Sequence, residues 1–479
     1  MTPQSTIRVR NTLWVLTACL TALATGMLIP LADSGHHLSL FLGAFVAAAV
    51  VGVLFVVSTR FLPGITLLVT LLIPVDVTLL PHVLEGAALG VVPLAVWMIR
   101  TPKSTQTPSV LRILAFLLGV WLALSEIFAP LHTHRGWEWL VTAGLAVVFS
   151  IISAPTGLKS REFRALFLAV ATVLGMYALL EGFVLHRNLL FGALLEHTSW
   201  WAGEQHNVSY RVTTLLGHPL LNGTVFSAAA VLSASDLVQK PHRPRIALVR
   251  LMVLIGATAA THSRGAAIAL GIGIVVVIAF SRGRGRGQGS RRLVLVISSL
   301  LGATLLIYGL QARDESRQGQ ASALVRVTVI HRASETLRGL EPFGAGPGQS
   351  DAYRAMMQLP GSEIALENSY AELAVSLGPI GALLMVALLI AVVVFGLQNE
   401  LVTGEAAALL TILVAIGGFN AIEGDKPLLI VIALFVIAII STARSVATTD
   451  GPYPHADDQP VPLQDVAITQ MTGEPLSYE

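Results

Sequence analysis

Charged residues are scarce in this sequence. Asp, Glu, Lys and Arg make up only 12% of the 479 residues, about half their share in a typical soluble domain. Cysteine is scarcer still, since Cys19 is the only one. A soluble globular fold, a disulfide framework and a thiolate metal cluster are therefore excluded.

Long apolar runs are abundant, and 54% of the residues are hydrophobic. About 14 segments each approach the ~20 residues that an α-helix needs to cross the hydrocarbon core of a membrane. This pattern predicts an all-α polytopic integral membrane protein with about 12–14 transmembrane helices. The segments are 12–30, 39–58, 61–76, 83–99, 111–129, 138–154, 165–185, 215–235, 247–262, 265–281, 293–310, 373–397, 405–421 and 427–443.

The distribution of Lys and Arg predicts which side of the membrane each loop faces, because basic residues crowd cytoplasmic loops. The N-terminal segment, with Arg8 and Arg10, favours a signal-anchor that stays on as the first helix. We therefore expect both termini in the cytoplasm. The basic residues of the alternate, cytoplasmic loops are Arg60; Arg100, Lys103 and Arg112; Lys159, Arg161 and Arg164; Lys240, Arg243, Arg245 and Arg250; and Arg282, Arg284, Arg286, Arg291 and Arg292. The opposite short loops hold little beyond Arg135, Arg187, Arg211, Arg264 and Lys426.

Two long loops fall on the side that the basic residues avoid. They span about 186–214 and 311–372, the second being a large extracytoplasmic loop near the C-terminus. Long loops in a compact membrane protein usually carry function. The cytoplasmic loops reach about 20 residues at most, which is too short for a nucleotide-binding domain. Any active surface is therefore expected to face outward.

Two other features favour ordinary roles. The Gly/Arg tract Ser281–Arg292 resembles a nucleic-acid-binding segment, but its place between two spans predicts a cytoplasmic anchor that faces anionic lipid. Glu126 and Glu181 lie near predicted helix ends, from where they can reach the membrane interface. Neither feature indicates a site.

Three arginines on the outward side, whose short loops hold few basic residues, are candidates for a site. Arg211 directly precedes a span, Arg264 lies in a tight turn between two helices, and Arg326 shares a helical face with apolar residues. A guanidinium fork binds phosphate oxygens in a bidentate way, and a pyrophosphate leaving group needs that neutralisation as its bond breaks. The three residues therefore predict a nearby anion. The alternative is that each reaches lipid headgroups or caps a helix C-terminus.

Two motifs follow in the C-terminal half. The stretch Glu341–Gln349 (EPFGAGPGQ) is dense in glycine, which suits an anion cradle but also any sharp bend. In the second motif, ENSYAE, the spacing of Ser369 and Glu372 predicts a capping box that opens the following helix. Glu367 lies about one turn from the membrane edge, where a carboxylate can accept the proton of an attacking sugar hydroxyl.

Four stretches, taken in order, resemble the O-antigen ligase and O-antigen polymerase family of polytopic bacterial membrane proteins, which carry a large outward loop near the C-terminus. The stretches cover roughly residues 210–400, and the N-terminal third matches only as hydrophobic spans. They are Arg211–Asn222 with its GHPLLNG, THSRGA at 261–266, PFGAGPGQ at 342–349 and ENSYAELAVSLGPIGALL at 367–384.

The resemblance implies a metal-independent glycosyltransferase, with no cofactor, that serves polysaccharide biosynthesis for the cell envelope from the inner membrane. The donor would be an oligo- or polysaccharide on undecaprenyl pyrophosphate and the acceptor another glycan, with membrane lipids around them and no nucleic acid as partner. Arg211 and Arg264 would bind the pyrophosphate, with Arg326 as a third candidate. The implied division is 1–210 for the N-terminal helices and first long outer loop, 211–445 for a ligase/polymerase-like catalytic core that includes loop 311–372, and 446–479 for a disordered cytoplasmic tail rich in Pro and acid.

The chain departs from the family pattern at one position. The family often has His-Asn-x-Tyr where this chain has Glu367-Asn368-Ser369-Tyr370. We expect Glu367 and Asn368 to face the acceptor sugar, although a carboxylate with an ordinary pKa near ~4.3 is a weaker base at neutral pH than a histidine near ~6.5. Three alternatives stay open: His331 supplies the imidazole, the acceptor differs, or activity has been lost.

A transporter or flippase of lipid-linked sugars is the second candidate class, and a structural scaffold is the third. Transporters place ionisable residues at the bilayer midplane and are built from repeated halves with broken helices. Neither feature is evident in these spans, whose middles are mainly Leu, Val, Ala, Ile and Gly. A scaffold leaves the outward loop 311–372 without a purpose. Glycan transfer is therefore favoured, while ligase and polymerase are not separated by the sequence.

Overall fold

The computed structural model describes most of the segments in which helices were predicted. Predicted features that lie outside the described residues are the spans 12–30 and nearly all of 293–310, most of 39–58, and the tail beyond residue 447. The described residues are 51–73, 78–80, 84–85, 89–102, 107–130, 134–155, 160–189, 211–239, 244–281, 342–356, 368–419, 422–423 and 427–447, with single positions 132, 158, 289, 293 and 296.

Within these residues the chain is almost wholly helical. The helices are α1 (Leu62–Leu72), α2 (Val91–Arg100), α3 (Ser109–Ile127), α4 (His134–Ala143, continued by the π-helical turn Gly144–Phe149 and by Ser150–Ile152), α5 (Ser160–Leu180, continued by the π-helical turn Glu181–Leu185), α6 (Pro219–Gln239), α7 (Pro244–Ala260), α8 (Arg264–Phe280), α9 (Ser350–Met356), α10 (Ser369–Leu397), α11 (Thr403–Ala415, continued by the 3₁₀ turn Ile416–Gly418) and α12 (Pro427–Ala447).

One short antiparallel hairpin interrupts this pattern. Its strands are β1 (Thr78–Leu80) and β2 (Leu84–Glu85). The prediction of a helical span over 83–99 is therefore wrong in its first half, because helix α2 begins only at Val91. Gly90 is the N-cap of this helix, and glycine is less favourable than other residues in a helix interior.

Among the described residues, four helices are long and apolar enough to cross a membrane. They are Ser109–Ile127, Ser160–Leu185, Pro219–Gln239 and Ser369–Leu397. Six shorter apolar helices accompany them in the described part of the chain. The predicted class, an all-α polytopic membrane protein, is confirmed. The number of 12–14 spans stays a prediction.

Helix α6 lies at the centre of the described bundle and packs against α5, α7, α8 and α11. Small residues allow this close packing, as is usual between membrane helices. A Cβ added at Gly223 would lie 2.9 Å from the Cβ of Ala266 in α8, and one at Gly273 would lie 2.5 Å from Val231 in α6. The first residues of α6, which carry the GHPLLNG motif, are thereby held in a fixed place.

Helix α10 is broken at Gly378 and Pro379. Proline has no N–H and removes one intrahelical hydrogen bond, and Gly378 has φ +69° and ψ 168°, a conformation that favours glycine. Our expectation that the spans contain no broken helix is therefore wrong here. Carbonyl groups in the turn before the break accept hydrogen bonds from outside the helix. They are Val375 from the N–H of Ala345 at 2.8 Å, Ser376 from the N–H of Gly346 at 2.9 Å, and Leu377 from Nε1 of Trp121 at 2.8 Å.

The element order defines two ends of the bundle. Helices α6, α8 and α10 begin at the end where α3, α5, α7 and α11 finish, and the four motifs meet at this end, which we call the motif end. The described basic residues of the predicted cytoplasmic loops lie at the opposite end. They are Arg60, Arg100, Arg112, Arg161, Arg164, Arg245 and Arg250.

A buried ion cluster ties the helices together at that opposite end. Arg164 of α5 donates from Nη1 to Oδ1 of Asp236 in α6 at 2.8 Å and from Nε to Oε1 of Glu405 in α11 at 2.9 Å. Arg164 and Glu405 are fully buried. Removing one partner of a buried pair leaves an uncompensated charge, so this cluster holds three helices in register far from the motif end.

Candidate functional site

Arg211 and Arg264 lie on neighbouring segments at the motif end. Nε of Arg211 donates to the carbonyl oxygen of Thr261 at 3.2 Å. Arg264 is the first residue of α8, whose N-cap Ser263 accepts from the N–H of Ala266 at 3.3 Å. Both arginines are half-buried. The N-terminus of a helix adds a partial positive charge of its own, so this place favours an anion.

His218 belongs to the same cluster. It directly precedes Pro219, the first residue of α6, and its ring stacks on Phe419 with the centroids 5.9 Å apart. Burial, and next the positive charge of Arg211, lower the pKa of His218 to about 4. The imidazole is therefore neutral at pH 7 and lies close enough to Arg211 to sense its charge. We call Arg211, His218 and Arg264 the arginine site.

The sequence interpretation did not single out His218, although the GHPLLNG motif contains it. One signal was available, namely a histidine directly before a proline that starts a helix, seven residues after a candidate arginine. That spacing places the imidazole at a helix N-terminus, where a ligand or an anion is also favoured.

The last turn of α11 joins the arginine site to the ENSYAE motif. On one side, a Cβ added at Gly265 would lie 3.1 Å from the carbonyl oxygen of Ala415. On the other side, Nδ2 of Asn368 donates to the carbonyl of Gly417 at 2.9 Å, and Oγ of Ser369 donates to the carbonyl of Phe419 at 2.7 Å. The THSRGA and ENSYAE motifs therefore both pack against the same short segment, residues 415–419.

Asn368 is the N-cap of α10. Its Oδ1 accepts from the N–H groups of Tyr370 at 3.0 Å and Ala371 at 3.1 Å. The predicted capping box led by Ser369 is therefore wrong. Asparagine caps a helix as well as serine does, and the Ser369 hydroxyl is engaged by Phe419 instead. The contact of Asn368 with an acceptor sugar stays a prediction.

The glycine-rich stretch serves as a tight bend against α10. Gly344 has φ +80°, and a Cβ on it would lie 2.3 Å from the backbone nitrogen of Gly378. The N–H groups of Ala345 and Gly346 donate to α10 carbonyls, so these two groups do not cradle an anion. Of the two interpretations of this stretch, the geometry supports the sharp bend.

Glu423, which the sequence did not point to, holds this bend in place by hydrogen bonds. Its Oε2 accepts from the backbone N–H of Ser350 at 3.2 Å and from Oγ of Ser350 at 2.6 Å, and its Oε1 accepts from Oγ of Ser376. Burial raises the pKa of Glu423 to about 7, against the opposing effect of these hydrogen bonds. No sequence pattern distinguishes this glutamate, because its partners come from two distant segments.

Glu126 and Glu181 lie near helix ends, as predicted, but both are buried within the protein, and their reach to the membrane interface stays a prediction. Glu126 is 6% exposed and lies 3.4 Å from Nδ1 of His132. Glu181 is fully buried and accepts from the backbone N–H of Thr213 at 2.8 Å. At Glu181 the segment that covers the helix end is the one that carries Arg211.

Three predicted site residues lie outside the described residues. They are the catalytic candidates Glu367 and His331 and the third pyrophosphate candidate, Arg326. Arg211, Arg264 and Asn368 are brought to the motif end.

The fold and the site together define a polytopic α-helical membrane protein with a cationic site at one end of its bundle. Residues 249–386 match the family model described as O-antigen ligase. The matched segment includes Arg264, Asn368 and the break in α10, while Arg211 precedes it. The resemblance to the O-antigen ligase and polymerase family is confirmed. A search of curated proteins gave no match.

The family match supports glycan transfer of the ligase or polymerase type in general. Together with the apolar helices it indicates a multi-pass protein of the inner membrane.

Proposed function

We propose that this protein is a membrane glycan transferase that moves an oligo- or polysaccharide from undecaprenyl pyrophosphate to an acceptor glycan on the outer side of the cytoplasmic membrane. The observation that carries the proposal is the arginine site, where Arg211 lies against His218 and bonds to Thr261, three residues before Arg264. The basic residues at the opposite end favour a cytoplasmic position for that end. The arginine site then faces outward, both termini lie in the cytoplasm, and no metal or cofactor is needed.

The arginines supply the chemistry that this reaction needs most. An acceptor hydroxyl attacks the anomeric carbon of the donor sugar, the bond from that carbon to the phosphate oxygen breaks, and undecaprenyl pyrophosphate leaves with the electron pair. Guanidinium forks of Arg211 and Arg264 neutralise the charge that develops on the leaving oxygen. Because both side chains are half-buried, their attraction for the pyrophosphate is stronger than it would be in water.

The proton of the acceptor hydroxyl needs a base. Glu367 and His331 are the candidates from the sequence. His218 is a third candidate, because it lies in the arginine site. A neutral imidazole accepts a proton more readily once an anion is bound nearby, because the anion raises its pKa. Asn368 fixes the start of α10 against the last turn of α11.

A transfer assay with purified protein tests the proposal. The protein is supplied with a lipid-linked glycan donor and a glycan acceptor, and the product is measured for wild type, Arg211→Ala and Arg264→Ala. We expect each variant to lose about 10²–10³ in rate, the usual cost of one group that stabilises a developing oxyanion. Arg187→Ala is the matched control, since Arg187 is an exposed arginine at the same end of the bundle. Transfer by both site variants at the wild-type rate would contradict the proposal.

The break in α10 favours one alternative, a flippase of lipid-linked sugars, because discontinuous helices are a feature of transporters. Liposomes that contain the purified protein and a labelled lipid-linked sugar separate the two functions. Movement of the label across the bilayer without transfer to an acceptor would replace our proposal by the flippase.

Ligase and polymerase are separated in cells that lack the protein. Accumulation of full-length lipid-linked chains would identify a ligase, whereas single repeat units in place of long chains would identify a polymerase.

A further inference from the structure

Glu181 lies beneath the segment that carries Arg211. It is the first residue of the π-helical turn that ends α5, and its carboxylate is fully buried. Oε1 accepts from the N–H of Thr213 at 2.8 Å, and Oε2 accepts from the N–H of Thr214 at 3.1 Å. Each carboxylate oxygen therefore accepts a hydrogen bond from a backbone N–H two or three residues after Arg211.

The backbone at Thr214 is held in a conformation that a β-branched residue rarely adopts. Its φ is +43°, and such strain persists only where the surroundings over-determine the conformation. Asn188 and Asn222 complete these surroundings. Nδ2 of Asn188 donates to the carbonyl of Thr214 at 2.7 Å, and Nδ2 of Asn222 donates to the carbonyl of Thr213.

Close packing removes the remaining freedom of this segment. A Cβ added at Gly182 would lie 2.8 Å from Cγ2 of Val212, so the end of α5 packs closely against the side chain of the residue next to Arg211. On the other side, the N–H of Val212 donates to the carbonyl of Ala260, and Arg211 itself donates to Thr261. The Arg211 segment is clamped between the ends of α5 and α7.

We propose that Glu181 is a positioning residue for Arg211: its carboxylate sets the backbone of Thr213 and Thr214 and thereby aims the guanidinium of Arg211 at the donor pyrophosphate. The inference rests on the proposed function, since it assigns Arg211 the pyrophosphate of that reaction. Glutamate is required rather than glutamine, because an amide nitrogen facing either N–H would place two donors against each other.

The test compares Glu181→Gln, Arg211→Ala and the double variant of the full chain. Glu181→Gln is expected to raise KM for the lipid-linked donor about tenfold or more, the range for one lost hydrogen bond to a charged group. In the Arg211→Ala background the same change is expected to add nothing further, because Glu181 acts through Arg211. An activity-independent readout is the titration of His218 by NMR of labelled histidine. Displacement of Arg211 in Glu181→Gln, and its removal in Arg211→Ala, should each move that titration to higher pH.

Glu405→Gln is the matched control, because Glu405 is an equally buried glutamate at the opposite end of the bundle. It should lower the melting temperature and leave the donor KM and the His218 titration unchanged. If Glu181→Gln does not fold, Asn222→Ala loosens the same backbone and should give the same two effects.

Two results would overturn the inference. One is a folded Glu181→Gln protein with wild-type KM and wild-type His218 titration, and the other is an equal rise in KM with and without Arg211. Failure of the proposed function is recognised separately, because Arg211→Ala would then transfer glycan like wild type.

Discussion

Nε of Arg211 donates to the carbonyl oxygen of Thr261 at 3.2 Å, across 50 residues of sequence. This bond orients the guanidinium, whose planar shape gives it a direction that a lysine ammonium lacks. Arg211→Lys keeps the charge and loses the fork. We expect the donor KM to rise about tenfold to hundredfold, as for a lost hydrogen bond to a charged group. Arg187→Lys should have no effect, and an Arg211→Lys enzyme with wild-type KM would show that charge alone is sufficient.

The low pKa of His218 predicts a loss of stability in acid. Burial and Arg211 lower this pKa to about 4 from an ordinary 6.5, so between these values the unfolded chain binds a proton that the native protein does not. The contribution of His218 to the free energy of unfolding therefore falls as pH drops from about 6.5 towards about 4. Arg211→Ala removes the positive charge that is the second cause of the low pKa, and it should weaken the dependence of stability on pH.

Thermal unfolding of purified protein between pH 4 and pH 7 measures the effect. His218→Gln provides the control, since it removes the titrating group altogether. An identical pH profile for wild type and His218→Gln would contradict the assignment.

Glu423 predicts the opposite change on the alkaline side. Its pKa is raised from 4.5 to about 7, so between these values the native protein holds a proton that the unfolded chain has lost. The contribution of Glu423 to stability is therefore present below about pH 4.5 and is lost as pH rises through about 7. Glu423→Gln mimics the protonated form, and its melting temperature should change less than that of wild type between pH 5 and pH 8. Parallel curves would show that Glu423 does not titrate in this range.

The break in α10 predicts an asymmetry between two glycines. Gly378→Ala places a methyl group at φ +69°, and this Cβ would lie 2.0 Å from the carbonyl oxygen of Pro342. The backbone strain alone should cost about 1–3 kcal/mol, and the glycine-rich bend must move as well. Gly271→Ala is the control, because Gly271 is exposed on α8 and its Cβ would meet nothing within 4 Å. It should stabilise the helix by about 0.5–1 kcal/mol. Equal melting temperatures for the two variants would contradict this account of the break.

The helical, polytopic membrane class could be predicted from the sequence, because long apolar segments are a matter of local composition. The kink was not predicted, although Gly378 and Pro379 are residues that favour a break, and no sequence pattern shows that Ala345 and Gly346 bond to the carbonyls before it. Glu181 and Glu423 could not be found in this way. Their roles come from backbone groups that approach from distant segments, and a glutamate near a helix end looks the same whether it is solvated or covered.

The ENSYAE motif shows the same limit at single-residue scale. Spacing favoured Ser369 as the cap, yet Asn368 one position earlier caps α10 and Ser369 bonds to Phe419. Two residues with equal capping propensity are distinguished only by the tertiary partner that one of them meets.

Affinity for undecaprenyl pyrophosphate measures the central claim most directly. The dissociation constant is determined for the purified protein in lipid nanodiscs, with undecaprenyl monophosphate as the comparison ligand. We expect wild type and Arg187→Ala to bind the pyrophosphate tightly and the monophosphate less well, and Arg211→Ala and Arg264→Ala each to lose about tenfold to hundredfold in affinity for the pyrophosphate. Unchanged pyrophosphate affinity in both of these variants would contradict the account.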